Sequence, residues 1–206
     1  MPASVAPTPL GKVAFGTVQE PRLNTLSNKL EWTIGMIFSM EEAAPLLAVV
    51  EEALVEAMKS RPKVKATPKE KLNLPYKPAQ ILKEDGTKVN DPDNLLFVFK
   101  RNAARINPQT GEEVRTSGPI LYGSDGQPLT SFNKVIGRDT IGRVVYKPYV
   151  YDKFAVGCQF QLEGFQISEL VEMNAAPASL DAVAGNVTNS TEELSILDGE
   201  SVLPPL

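Results

Sequence analysis

The chain has 206 residues, room for one sizeable domain with loops or a tail and short for two full domains. Hydrophobic residues make up 42% and charged residues 22%, as in soluble globular proteins, while 17 prolines and 14 glycines favour turns and short strands. Histidine is absent and cysteine occurs once, which removes Ser/His and Cys/His catalytic pairs, clustered Cys/His zinc sites and any intramolecular disulfide framework.

Net charge is −4, but its distribution says more. Residues 1–58 hold three basic side chains against seven acidic, 59–153 hold 18 against 10, and 154–206 hold none against eight. A basic middle inside an acidic chain leaves a polyanion open as ligand. Met1–Leu10 has neither a basic start nor an apolar stretch, so no secretory leader is expected. The apolar run Leu46–Val50 is too short to cross a bilayer, and no membrane association is expected. The lone Cys158 fits a reducing cytoplasm. Without a leader, the triplets Asn186-Val187-Thr188 and Asn189-Ser190-Thr191 carry no glycosylation signal.

Gly11–Val18 reads as a first strand. Lys29–Ser39 alternates, with Leu30, Trp32, Ile34, Met36 and Phe38 on one face and Glu31, Thr33 and Ser39 on the other, the pattern of a half-buried strand. One amphipathic helix follows, carrying Leu47, Val50, Leu54 and Met58 at helical spacing. Ser39 and Glu42 resemble a capping box, yet Pro45 suits a first turn, which argues for a later start. Ser60–Asp93 is rich in Lys and Pro and reads as a long basic loop between core elements.

Strands return at Leu95–Arg101, Pro119–Tyr122, Arg143–Tyr151, Ala155–Leu162 and Phe165–Met173. Asn107–Gly111 reads as a turn and Asp125-Gly126 as a tight hairpin. Such a set is mainly β, a small barrel or sandwich. It suggests a domain over 1–174, followed by a flexible acidic tail at 175–206, which lacks aromatic and basic residues.

No enzyme is expected. Neither a Walker-type loop nor Gly-x-Gly-x-x-Gly occurs, and Glu84-Asp85 and Asp91-Pro92-Asp93 lack calcium-loop spacing, so neither a metal nor another cofactor is implied. Cys158 lies in a strand, as a small buried thiol would.

Capture of single strands needs cations for phosphates and flat rings for bases. Two segments supply both: Phe97–Arg101 with Arg105 and Arg115 beyond, and Arg138 to Lys153, where tyrosines interleave with basic residues. Regular pairing puts Lys147, Tyr149 and Tyr151 on one face, opposite Tyr146 and Pro148. Arg101, Arg105, Arg138, Arg143, Lys147 and Lys153 are the candidate phosphate contacts; Tyr146, Tyr149 and Tyr151 are the candidate stacking rings. Phe97, Phe99, Phe160 and Phe165 fit the core, and Trp32 has apolar neighbours that suggest burial.

The stretch Ile141–Tyr151 (Ile-Gly-Arg-Val-Val-Tyr-Lys-Pro-Tyr-Val-Tyr), followed by Val156–Val171 with its Leu162-Glu163-Gly164-Phe165-Gln166-Ile167, resembles the last barrel strands of tailed-phage single-stranded DNA-binding proteins. The preceding Asp125-Gly126-Gln127-Pro128-Leu129 hairpin matches as well. The resemblance implies an OB-like five-stranded barrel that coats single-stranded DNA during phage replication, recombination and repair, in the cytoplasm of the infected bacterial host. It also implies an acidic tail that contacts replication or recombination proteins and competes with DNA for the basic groove. Homo-oligomerisation stays open. A structural or virion-associated β-barrel acting through protein contacts, and a nuclease using the carboxylates, are the competing classes.

Overall fold

The structure, a computed structural model, describes residues 6–25, 28–107, 109–153 and 155–173, all within one compact unit of the chain. The expected tail at 175–206 lies outside the described residues. In chain order the elements are β1 (Ala6–Pro7), β2 (Gly11–Asn24), β3 (Lys29–Ser39), α1 (Met40–Ser60), α2 (Pro62–Ala66), a 3-10 turn (Lys69–Lys71), β4 (Tyr76–Leu82) and β5 (Lys88–Asn102). Then come β6 (Ala104–Ile106), β7 (Glu113–Arg115), β8 (Ile120–Tyr122), β9 (Ile141–Tyr151) and β10 (Gly157–Glu169).

Five long strands carry the architecture, hydrogen-bonded in the order β9-β2-β3-β5-β10, with β10 pairing again to β9. The arrangement is OB-like, with β1, β4 and β8 added alongside and β6–β7 as a separate ribbon. Alternation over Lys29–Ser39 gives β3 its expected bounds. Trp32, Ile34, Met36 and Phe38 are buried, while Leu30 at the strand's start is exposed. Phe97, Phe99, Phe160 and Phe165 are each 0% exposed. Phe160 stacks on Phe97 and Phe99, with ring centres at 6.0 and 5.6 Å.

Three expectations are corrected. Helix α1 starts at Met40, because the capping box is complete: Glu42 N donates to Ser39 Oγ at 3.3 Å, and Ser39 N donates to the Glu42 carboxylate at 2.9 Å. Satisfying those end groups contributes about 1 kcal/mol and lets the helix run through Pro45 in its second turn. Its buried stripe is Ala43, Leu46, Val50, Leu54 and Ala57.

The Lys/Pro-rich stretch is not one loop. Its prolines divide it into α2, the 3-10 turn and β4, and β4 pairs antiparallel with β5. Buried Val64, Leu72 and Ala79 anchor it, and Cys158 N donates to Asn73 O at 2.9 Å.

The two strands read at the C-terminal end of the domain are a single strand, β10, with a register shift between Leu162 and Gly164. A glycine is required there: a Cβ at Gly164 would lie 2.8 Å from Ile120 O of β8.

Candidate nucleic-acid interface

Alternation in β3, β5, β9 and β10 turns one set of side chains into the aromatic core and the other onto an outer face. Cross-strand register aligns one rung over that face: Thr17 of β2, Thr33, Lys100, Gln161 and Lys147 of β9. Lys100 is its centre. Its ammonium lies 4.0 Å from the Glu31 carboxylate, at the limit of an ion pair, with the side chain 36% exposed.

Phe15 stands at one end. Regular alternation from buried Val13 would turn Phe15 inward, but a register shift between Val13 and Phe15 puts it opposite Gly35 on the outer face. Its ring lies across that glycine: a Cβ at position 35 would meet Phe15 Cε1 at 2.5 Å. Phe15 is 46% exposed, a ring seated on backbone with its other side open. With Lys100 and Arg138 it borders a hollow of about 750 Å³.

At the other end, Tyr149 is 54% exposed and stacks on Tyr151 at 6.5 Å. Tyr149 shares a hollow of about 360 Å³ with Lys100, Arg105, Gln159 and Gln161. Tyr151 shares another of about 320 Å³ with Tyr76, Lys77, Lys100 and Gln159. All three hollows meet at Lys100. Burial pushes the Tyr151 hydroxyl pKa up, an effect opposed by its hydrogen bond with the Asn73 side chain.

Of the residues chosen from sequence, Arg101, Arg105, Arg138, Tyr149 and Tyr151 border these hollows, and Lys147 ends the central rung. Arg143 and Lys153 are exposed but line none of the three. One candidate is corrected. Tyr146 is 3% exposed, with its ring 4.4 Å from Phe160 and 5.5 Å from Phe99, so it packs the core and offers no stacking surface. Arg101, beside Tyr149 in its hollow, is also tied to the fold, donating to Ser117 O at 2.9 Å, Leu162 O at 3.3 Å and Glu163 Oε2 at 2.8 Å. Glu163 also lies 3.9 Å from Lys147, at ion-pair range.

Sequence reasoning passed over Phe15 and Lys77 and left Lys100 outside the selected set. For Phe15 the available signal was Gly35, a glycine inside an otherwise apolar strand, which marks a close approach.

Tyr146 and Cys158, buried behind the face, stay uncharged at neutral pH. Burial pushes Tyr146 up to about 12 and Cys158 up to about 11. Asp85 is held low by the Thr87 hydroxyl and backbone N–H, and Asp91 by the Asn94 side chain and Asp93 N–H, so both carboxylates close turns. Among the described residues no three potential metal ligands gather, and no helix is long and apolar enough to cross a membrane.

No protein-family model and no curated protein matches this sequence. Solved structures do match. One is gp2.5, a single-stranded DNA-binding protein of bacteriophage T7, at 16% identity and a TM-score of 0.57, over 82% of this chain and 88% of that one. Another is the single-stranded DNA-binding protein of bacteriophage Enc34 in complex with single-stranded DNA, at 10% identity and a TM-score of 0.54, over 79% and 85%. The same phage protein alone aligns over 86% and 94%, with 8% identity and a TM-score of 0.55. With the aromatic core and the ringed outer face in place, the chain has the fold of the phage single-stranded DNA-binding proteins.

Proposed function

We propose that this protein binds single-stranded DNA along the outer face of β2, β3, β5, β10 and β9, without chemically changing it. The observation that carries the reading is the pairing of two exposed rings, Phe15 seated on Gly35 and Tyr149 stacked on Tyr151, with the cations Lys100, Arg105 and Arg138 that line the same hollows. Rings take bases of any identity and cations take phosphates, so such a face is sequence-tolerant. The likeness to a phage protein solved with single-stranded DNA supports the same reading. Coating and protecting strands during phage replication, recombination and repair, in the cytoplasm of the infected host, is the role this binding serves. The acidic segment at 175–206 is the part suited to contacts with replication or recombination proteins.

The test is an anisotropy titration of fluorescent oligo(dT) and a matched duplex at several salt concentrations. The expected result is at least about tenfold preference for the single strand and a salt slope near −3 on a short strand, about 0.7 for each of Lys100, Arg105, Arg138 and Lys147. No single-strand binding at low salt would overturn the proposal.

A further inference from the structure

Residues 59–77 carry seven basic side chains and one acidic, Glu70. Lys59 pairs with Glu56, and Arg61 donates to Val150 O, clamping the segment to β9. Lys63, Lys65, Lys69, Lys71 and Lys77 are exposed, and among the described residues none has a carboxylate partner. Five unpaired like charges on one short segment repel each other, so their arrangement needs fixed anchors. Val64, 0% exposed, and Leu72, 9% exposed, supply them and leave the flanking lysines outward.

The segment is continuous with the face already described. Asn73 N donates to Val156 O at 3.0 Å, and Asn73 bridges to Gly157 at the start of β10. A Cβ at Gly157 would meet Asn73 O at 2.3 Å and the Tyr151 hydroxyl at 2.7 Å, so segment, hairpin and ring meet there without intervening space. Four residues on, Lys77 lines the same hollow as Lys100 and Tyr151.

We infer that this lysine ridge is a second, phosphate-only track that carries a single strand onward from Tyr151, past the β9–β10 turn. The inference rests on the outer face being the strand site. From Lys63 to Lys71 the ridge offers cations and contains no aromatic residue. It therefore adds salt-dependent length to the bound strand and no base stacking.

The experiment uses the full chain and a K63A/K65A/K69A/K71A variant, with its unfolding midpoint checked against wild type. Both bind oligo(dT) of about 8 nucleotides, within the roughly 4–16 that one OB fold covers, and of about 20, beyond it. The variant is expected to match wild type on the short strand. On the long strand it binds roughly 10–100-fold more weakly, with a salt slope shallower by up to about 3. Equal affinity and slope on the long strand would overturn the ridge as a track. An equal loss on both lengths would overturn it too, because the lysines would then act as a general field. Wild-type protein that binds neither length would overturn the reading of the face and this inference with it.

Discussion

Replacing both Phe15 and Tyr149 by alanine should weaken oligo(dT) binding by about 2–6 kcal/mol, at least about 30-fold in Kd, with the fold intact. Each ring is about half exposed, at 46% and 54%, so truncation removes little from the core. Phe15 lies toward the β2 end and Tyr149 toward the β9 end of the rung through Lys100, and they line different hollows, so their effects should add. Phe15→Tyr and Tyr149→Phe keep a flat ring and should bind as wild type. The salt slope should not change, because neither ring neutralises a phosphate. Unchanged Kd in the double alanine variant would remove both rings from the site.

Phe160→Ala should act on stability. The side chain is 0% exposed and meets three rings: Phe97 at 6.0 Å, Phe99 at 5.6 Å and Tyr146 at 4.4 Å. Truncating it leaves a cavity where β5, β9 and β10 meet, at a cost of about 3–5 kcal/mol, a large share of an ordinary domain's stability. Urea unfolding measures this directly. A loss under about 1 kcal/mol would contradict the central place given to this cluster. Because Gln159 and Gln161 flank Phe160 on the outer face, a variant that melts locally should lose strand binding as a consequence of stability alone.

The contrast between these substitutions marks what could be read from sequence. Period two in Lys29–Ser39, broken in polarity only at Ile37, revealed β3 and the buried Trp32, Ile34, Met36 and Phe38, since no bulge interrupts that pairing with β5, although Leu30 is exposed and Glu31 buried. The same regularity in β9 separated Tyr149 from Tyr146, although choosing which face is core required the ring cluster around Phe160. Phe15 was hidden because one register shift inverts the parity that alternation relies on. The ties of Arg101 to the fold were hidden because its partners, Ser117 O, Leu162 O and Glu163, come from distant parts of the chain. The 60–93 stretch read as a loop because its prolines break every local period, while the contacts that order it run to Val150, Val156 and Cys158.

Mapping amide chemical shifts of isotope-labelled protein during addition of oligo(dT) tests the central claim most directly. The largest shifts are predicted along the rung Thr17, Thr33, Lys100, Gln161 and Lys147, with Phe15 and Tyr149 at its margins. Shifts confined to the exposed acidic side of α1, around Glu51, Glu52 and Val55, or no shifts at all, would contradict it.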